Sequence, residues 1–205
     1  TDDWVKDSER RDFTINAIYL DIFGKIYDPQ SGVLDLKNKK IKFIGDPHKR
    51  IEEDYLRIIR FIRFSIQYQN EIDKPTLDAI KLNLDGIKKI SKERILIELY
   101  KILDLKNFCY LNDSIDLKEI FILIFPEFEN LYRLERLNKI CNYSQLNKDL
   151  LLATLLLDEK NSHEYFCHKY NVSNLIKDSL NLFAKNLKKI RENKAFFNKD
   201  LEKNI

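Results

Sequence analysis

The chain has 205 residues, of which 44% are hydrophobic, and this composition excludes an intrinsically disordered protein. Its formal net charge of +3 is too small to indicate nucleic-acid binding by itself. The sequence has no apolar run long enough to span a membrane, and its three widely spaced cysteines favour neither a disulfide framework nor a zinc site. We therefore expect a soluble protein of the cytoplasm, without a membrane partner.

Turn-forming residues are concentrated near the N-terminus. Residues 14–21 and 26–28 are rich in β-branched and aromatic side chains and flank Gly24-Lys25, which predicts a β-hairpin. Residues 40–44 predict a third strand. From Pro47 onward apolar residues recur at helical spacing, and Ser91 with the preceding Ile90 is typical of a helix start. We predict a mainly α fold, in which a short hairpin is followed by helices through to the C-terminus.

Positive charge is concentrated in two runs of the sequence. Residues 37–63 contain nine Lys or Arg against four acidic residues, and residues 185–203 contain seven against three. Each run is typical either of an ordinary solvated surface or of contacts with RNA phosphates. Phe183, Phe196 and Phe197, within or beside the second run, fit base stacking as well as core packing.

The first polar cluster lies where a charged segment meets the predicted hairpin. It consists of Arg10, Arg11, Asp12 and Asn16. Guanidinium groups bind phosphate through paired donors, and a neighbouring carboxylate accepts hydrogen bonds from ribose hydroxyls. The cluster therefore suits a nucleotide, although a surface ion-pair network has the same composition.

The second polar cluster begins the first long helical stretch and consists of Glu53, Asp54, Arg57 and Arg60. On a continuous helix Glu53, Arg57 and Arg60 would share a face, with Asp54 close to Arg57. A carboxylate beside a guanidinium offers an acceptor next to a donor, which matches the Watson–Crick edge of cytosine and adenine but not of uracil or guanine. A simple salt bridge on a solvated helix is the alternative interpretation.

These clusters occur in the order found in one enzyme family. The sequence RRDFTIN at residues 10–16 is followed by Asp21-x-x-Gly24 and Asp28-Pro29, then by the sequence EDYLRIIR at residues 53–60, and finally by Glu93-Arg94-Ile95. This segment resembles the central motifs of the class II tRNA nucleotidyltransferase and bacterial poly(A) polymerase family, which includes the CCA-adding enzymes.

The resemblance implies a division of the chain and a role for each cluster. Residues 1–45 would be the C-terminal remnant of a nucleotidyltransferase head, residues 46–104 a base-selecting neck, and residues 105–205 a helical body that binds RNA. Arg10, Arg11, Asp12 and Asn16 would contact the ribose and triphosphate of CTP or ATP. Asp54 and Arg57 would pair with the base, with Glu53 holding Arg57. Arg60 and Arg63 would face phosphate or form ion pairs within the neck.

The resemblance also implies Mg²⁺, which family members hold with an Asp-x-Asp pair in the head. The 205 residues contain no Asp-x-Asp, so we predict no catalytic or metal-binding residue in this chain. We expect the chain to be a fragment, or one product of a split gene completed by an N-terminal fragment, and to be inactive alone. Its predicted partners are a nucleoside triphosphate and the 3′ end of tRNA. The alternative is a non-catalytic RNA-binding module.

Overall fold

The computed structural model describes residues 3–140 and 147–192. The chain forms two compact units, Thr1–Phe125 and Pro126–Ile205. The predicted finer boundaries, after residues 45 and 104, stay predictions. Most described residues are helical, and the strands found in the described ranges form a single hairpin, so the predicted mainly α fold is confirmed.

The hairpin lies in the first unit, where the chain runs through α1 (Trp4–Glu9), β1 (Tyr19–Leu20), β2 (Ile26–Tyr27) and α2 (Gly32–Lys37). The two strands pair antiparallel around Gly24, whose φ of 82° suits glycine, and the Asp21 carboxylate accepts hydrogen bonds from the backbone of Phe23 and Lys25. The predicted turn is confirmed. On this hairpin Leu20, Ile22, Phe23 and Ile26 are exposed.

The strands are shorter than predicted. Thr14–Ala17 forms a 3₁₀ helix because the Asp12 carboxylate accepts hydrogen bonds from the backbone of Phe13 and the side chain of Asn16, which turns the chain away from an extended path. The third strand predicted at residues 40–44 is also wrong, since its only pairing among the described residues is an isolated bridge between Phe43 and Phe13.

Helices follow from Pro47 to the end of the first unit. They are α3 (Pro47–Glu53), α4 (Leu56–Tyr68), α5 (Lys74–Asn83), a 3₁₀ helix (Leu84–Lys89), α6 (Lys92–Leu103), α7 (Tyr110–Asp113) and α8 (Ile115–Ile124). Side chains cap four of these helices at their first turn: Asp46 caps α3, Asp73 caps α5, Ser91 caps α6 and Ser114 caps α8. The predicted start at Ser91 is therefore confirmed.

Buried aromatic rings join the N-terminal segment to α4. Phe13 and Phe61 are fully buried, and the rings of Phe43 and Phe61 are stacked with their centroids 5.7 Å apart. The Phe13 ring also contacts Phe43 and Phe64. This cluster fixes the segment with the first polar cluster against the helix that carries part of the second.

The second unit contains α9 (Arg133–Ile140), α10 (Lys148–Leu156), α11 (Ser162–Tyr170) and α12 (Asn174–Glu192). Phe128 and Phe166 pack edge to face in its core, and the Arg133 guanidinium donates to the carbonyls of Thr154 and Leu157. Among the described residues, no helix combines the length and the apolar character that crossing a bilayer requires. The same residues contain no group of three or more His, Cys, Asp or Glu side chains that could hold a metal ion.

Close packing at Gly32 leads to a stability prediction. A Cβ atom on Gly32 would lie 2.1 Å from the backbone oxygen of Thr14, which cannot move without shifting the 3₁₀ helix. We expect Gly32→Ala to lower the free energy of unfolding by about 1–3 kcal/mol, measured by urea denaturation. Leu34→Ala on the exposed side of the same helix is the control and should cost less than about 0.5 kcal/mol. Equal stabilities of the two variants would contradict this account.

Candidate nucleotide-binding site

An open cavity of about 470 Å³ lies on the first unit and has a strongly basic lining. Five guanidinium groups face two carboxylates there, which leaves a surplus of positive charge suited to an anionic ligand. The cavity is lined by Arg10, Arg11, Asp12, Asn16, Asp54, Leu56, Arg57, Arg60 and Arg94. The fold therefore brings the two sequence clusters together in one place, with Glu53 immediately beside them.

A partly buried ion pair links the two clusters. The Arg60 Nε donates to Asp12 Oδ2 over 2.6 Å, although the two residues are 48 positions apart in the sequence. Asp12 Oδ1 accepts from the Phe13 backbone and from the Asn16 amide, at 3.0 and 2.7 Å. The Asp12 side chain is only 8% exposed, so these donors compensate the cost of burying its charge. Arg60 therefore forms an ion pair, but its partner Asp12 lies in residues 1–45 and not within residues 46–104, as the sequence analysis had left open.

Asp7, which the sequence analysis missed, organises the arginines of the first cluster. Its carboxylate accepts hydrogen bonds from the guanidinium groups of Arg10 and Arg11 and from the Tyr19 hydroxyl, the last at 2.9 Å. The bonds from Arg11 and then Arg10 hold the pKa of Asp7 well below its usual range. The spacing of Asp7, three and four residues before two arginines that lie at and just beyond the end of α1, could have indicated this role from the sequence.

The second cluster is not one helical face, because the helix stops within it. Helix α3 ends at Glu53, the backbone of Asp54 is extended with φ of −156° and ψ of 104°, and α4 begins at Leu56. The prediction of a continuous helix through residues 53–60 is wrong. The break turns the Asp54 side chain toward α6, where Asp54 Oδ2 accepts from Arg94 Nη2 over 2.7 Å.

Glu53 does hold Arg57, as predicted. Its Oε2 atom accepts from Arg57 Nη1 at 2.6 Å and from Arg50 Nη1 at 2.7 Å. These guanidinium groups, Arg57 first, lower the pKa of Glu53. Arg50 also donates to the backbone carbonyls of Glu9 and Arg11, so it ties α3 to the segment that carries the first cluster.

Arg63 forms an ion pair within residues 46–104, which is one of the two roles left open for it. Its Nε lies 2.9 Å from Oε2 of Glu98, a residue that is only 3% exposed, and its guanidinium lies over the Phe64 ring. Arg63 therefore holds α4 against α6.

Three aromatic residues lie within or beside the second basic run. Phe183 is half-buried on α12, whereas Phe196 and Phe197 lie outside the described residues.

Two family models match the chain. Residues 1–42 match the "Poly A polymerase head domain", and residues 71–131 match the "Probable RNA and SrmB- binding site of polymerase A". The CCA-adding enzyme of Staphylococcus aureus is 31% identical over 206 aligned positions, which cover 86% of this chain and 51% of that enzyme. The chain belongs to the CCA-adding enzyme and poly(A) polymerase family.

Other family members resemble the chain over part or most of its length. The human mitochondrial CCA tRNA nucleotidyltransferase 1 is 50% identical over 109 residues, half of this chain and 24% of that protein. The Bacillus stearothermophilus CCA-adding enzyme in complex with CTP superposes with a TM-score of 0.70 at 26% identity, over 92% of this chain and 48% of that one. The chain thus spans between about a quarter and a half of these family members.

The hydrogen bonds that Asp7 accepts lead to a prediction of pH-dependent stability. Because the pKa of Asp7 is lower in the folded chain than its usual value of 3.8, its ionic contribution is complete above that pH and is lost as the pH falls toward the lowered pKa. We expect Asp7→Asn to destabilise the protein at pH 7 and the difference from wild type to shrink below about pH 4. Urea denaturation from pH 2 to 7 measures both effects.

The control for this series is Asp78→Asn, which removes an exposed carboxylate from α5. It should change the free energy of unfolding little at any pH, as surface substitutions usually do. A deficit of Asp7→Asn that stayed constant from pH 7 to 2 would show that the Asp7 charge does not stabilise the fold.

Proposed function

We propose that this chain carries the nucleotide-selecting part of an RNA nucleotidyltransferase, which binds CTP or ATP beside the 3′ end of tRNA. The observation that carries the proposal is the Asp12–Arg60 ion pair, since it joins the first and second polar clusters beside one basic cavity. Family membership supports the same assignment. The expected cytoplasmic location stays a prediction.

In the proposed complex the triphosphate binds to the arginines of the first cluster. Arg10 and Arg11 line the cavity with side chains that are 68% and 45% exposed, so both retain donors that face solvent. Asp7 holds them in place without filling the cavity. Two oriented guanidinium groups bind phosphate oxygens more strongly than a single flexible cation does.

The base is selected by Asp54 and Arg57. Asp54 is an acceptor and Arg57 is a donor, which matches the exocyclic amine and the unprotonated ring nitrogen of cytosine or adenine. Uracil and guanine present a carbonyl and a protonated nitrogen at the same positions, so they meet an acceptor with an acceptor and a donor with a donor. Burying such unpaired groups costs about 1–3 kcal/mol each, which favours CTP and ATP.

The residues of the cavity do not fit the Mg²⁺ that the family implies. Asp12 is bound by Arg60 and Asn16, and Asp54 is bound by Arg94 and the Leu56 backbone, so the two carboxylates serve guanidinium and amide groups. The proposal therefore assigns nucleotide selection, and no step of metal-dependent transfer, to these residues. An N-terminal fragment that supplies the metal-binding pair, and inactivity of the chain alone, stay predictions.

Nucleotide titrations test the proposed selection. We expect the protein to bind CTP and ATP at least about tenfold more tightly than UTP and GTP, and Asp54→Asn to remove most of this difference, because an amide offers a donor as well as an acceptor. Isothermal titration calorimetry measures the four dissociation constants. The control is Asp78→Asn, which should retain the wild-type preference. A wild-type protein that binds all four nucleotides equally would refute the proposal.

A specific observation also favours RNA binding, namely the match of residues 71–131 to the "Probable RNA and SrmB- binding site of polymerase A". We expect an RNA hairpin that mimics a tRNA acceptor stem to bind the protein. The logarithm of its association constant should fall linearly with the logarithm of the salt concentration. Fluorescence anisotropy between 50 and 200 mM salt measures this slope. A DNA hairpin of the same sequence is the control for recognition of the 2′-hydroxyl. Absence of salt-sensitive affinity for the RNA would exclude this role.

A further inference from the structure

Arg94 lies in the first turn of α6 and reaches the candidate site from outside both sequence clusters. Its backbone N–H is capped by the Ser91 hydroxyl, and its side chain lines the cavity and donates to Asp54 over 2.7 Å. The sequence analysis gave the motif Glu93-Arg94-Ile95 no contact with the nucleotide. The contact with Asp54 connects Arg94 to one of the two residues proposed to bind the base.

Asp54 needs such a partner because its backbone belongs to neither α3 nor α4. The last torsion of an aspartate side chain is broad, so a carboxylate without fixed donors rotates readily. Here two donors hold it: the Leu56 backbone N–H binds Oδ1 at 3.2 Å and Arg94 binds Oδ2 at 2.7 Å. A carboxylate has about four acceptor positions, so an acceptor remains for the amine of a base.

The turn that carries Asp54 is also held by packing against the segment that precedes Arg94. The ring of Tyr55 lies so close to Gly86 that a Cβ atom there would be 2.0 Å from a ring carbon, and the Lys89 ammonium lies 5.3 Å from the ring centroid. The chain from Gly86 to Arg94 therefore supports the turn through Tyr55 and the carboxylate through Arg94.

A second effect of the contact between Arg94 and Asp54 is to separate Asp54 from Arg57. Both side chains line the same cavity, and a carboxylate with no other cation nearby would pair with the Arg57 guanidinium. Such a pair would use the acceptor and the donor that should read the base. Arg94 supplies Asp54 with a different cation, while Glu53 and the Arg50 carbonyl occupy one side of Arg57.

We propose that Arg94 is a specificity-determining positioning residue, which orients the Asp54 carboxylate toward the amine of cytosine or adenine and keeps it from closing onto Arg57. This inference rests on the proposed nucleotide selection and adds a residue to it. It differs from a phosphate-binding role for Arg94, since phosphate binding would contribute equally to all four nucleotides.

The test compares Arg94→Gln, Arg94→Lys and the control Lys92→Gln in the full chain. Lys92→Gln removes one positive charge from the same turn of α6, at an exposed position that does not line the cavity. For each protein the dissociation constants of CTP, UTP, ATP and GTP are measured by calorimetry. Thermal unfolding of each variant confirms that it is folded.

We expect Arg94→Gln to reduce the CTP over UTP and ATP over GTP preferences about fivefold to tenfold, while UTP and GTP affinities change less than about twofold. Arg94→Lys should restore part of the preference, and Lys92→Gln should keep all of it. Unchanged preferences in Arg94→Gln, or equal weakening of all four nucleotides, would overturn the inference while leaving the proposed selection intact. A wild-type protein without preference would instead refute the proposed selection, and this inference with it.

Discussion

The ion pair between Asp12 and Arg60 is the interaction on which the site depends. A carboxylate that is 8% exposed needs compensating donors, and Arg60 on α4 provides the charged one. By meeting that requirement the pair brings a segment near the N-terminus against a helix 48 residues later. The residues that follow the two partners, Phe13 and Phe61, are fully buried and both pack against Phe43, so the same two segments are also joined by apolar contacts.

Around this pair, three of the arginines that line the cavity are held by carboxylates that do not line it. Asp7 holds Arg10 and Arg11, and Glu53 holds Arg57. Arginine side chains carry large conformational entropy, and fixing them before a ligand arrives lowers the entropy lost on binding. In the proposed complex these carboxylates therefore improve the binding of an anionic ligand by orienting cations, although they carry the same sign of charge as that ligand.

The features that were predicted correctly from the sequence depend on interactions between neighbouring residues. The turn at Gly24 and the cap at Ser91 follow from local backbone chemistry, and both are present. The uninterrupted helix through Asp54 was wrong because periodicity averages over a window and does not register one extended residue. The contact of Arg94 with Asp54 was missed because it joins residues 40 positions apart, and spacing rules describe only pairs within a few residues.

The extended residue between α3 and α4 has a consequence for the proposed binding of bases of different size. Asp54 lies outside both helices, but its carbonyl accepts from the Arg57 backbone N–H at 3.0 Å, and its carboxylate is held by the Leu56 backbone and by Arg94. Arg57 is within α4, where helical hydrogen bonds fix its backbone. In the proposed complex the acceptor and the donor therefore keep their spacing, so a one-ring pyrimidine and a two-ring purine present the same edge to them and differ only in how far the base extends beyond that edge.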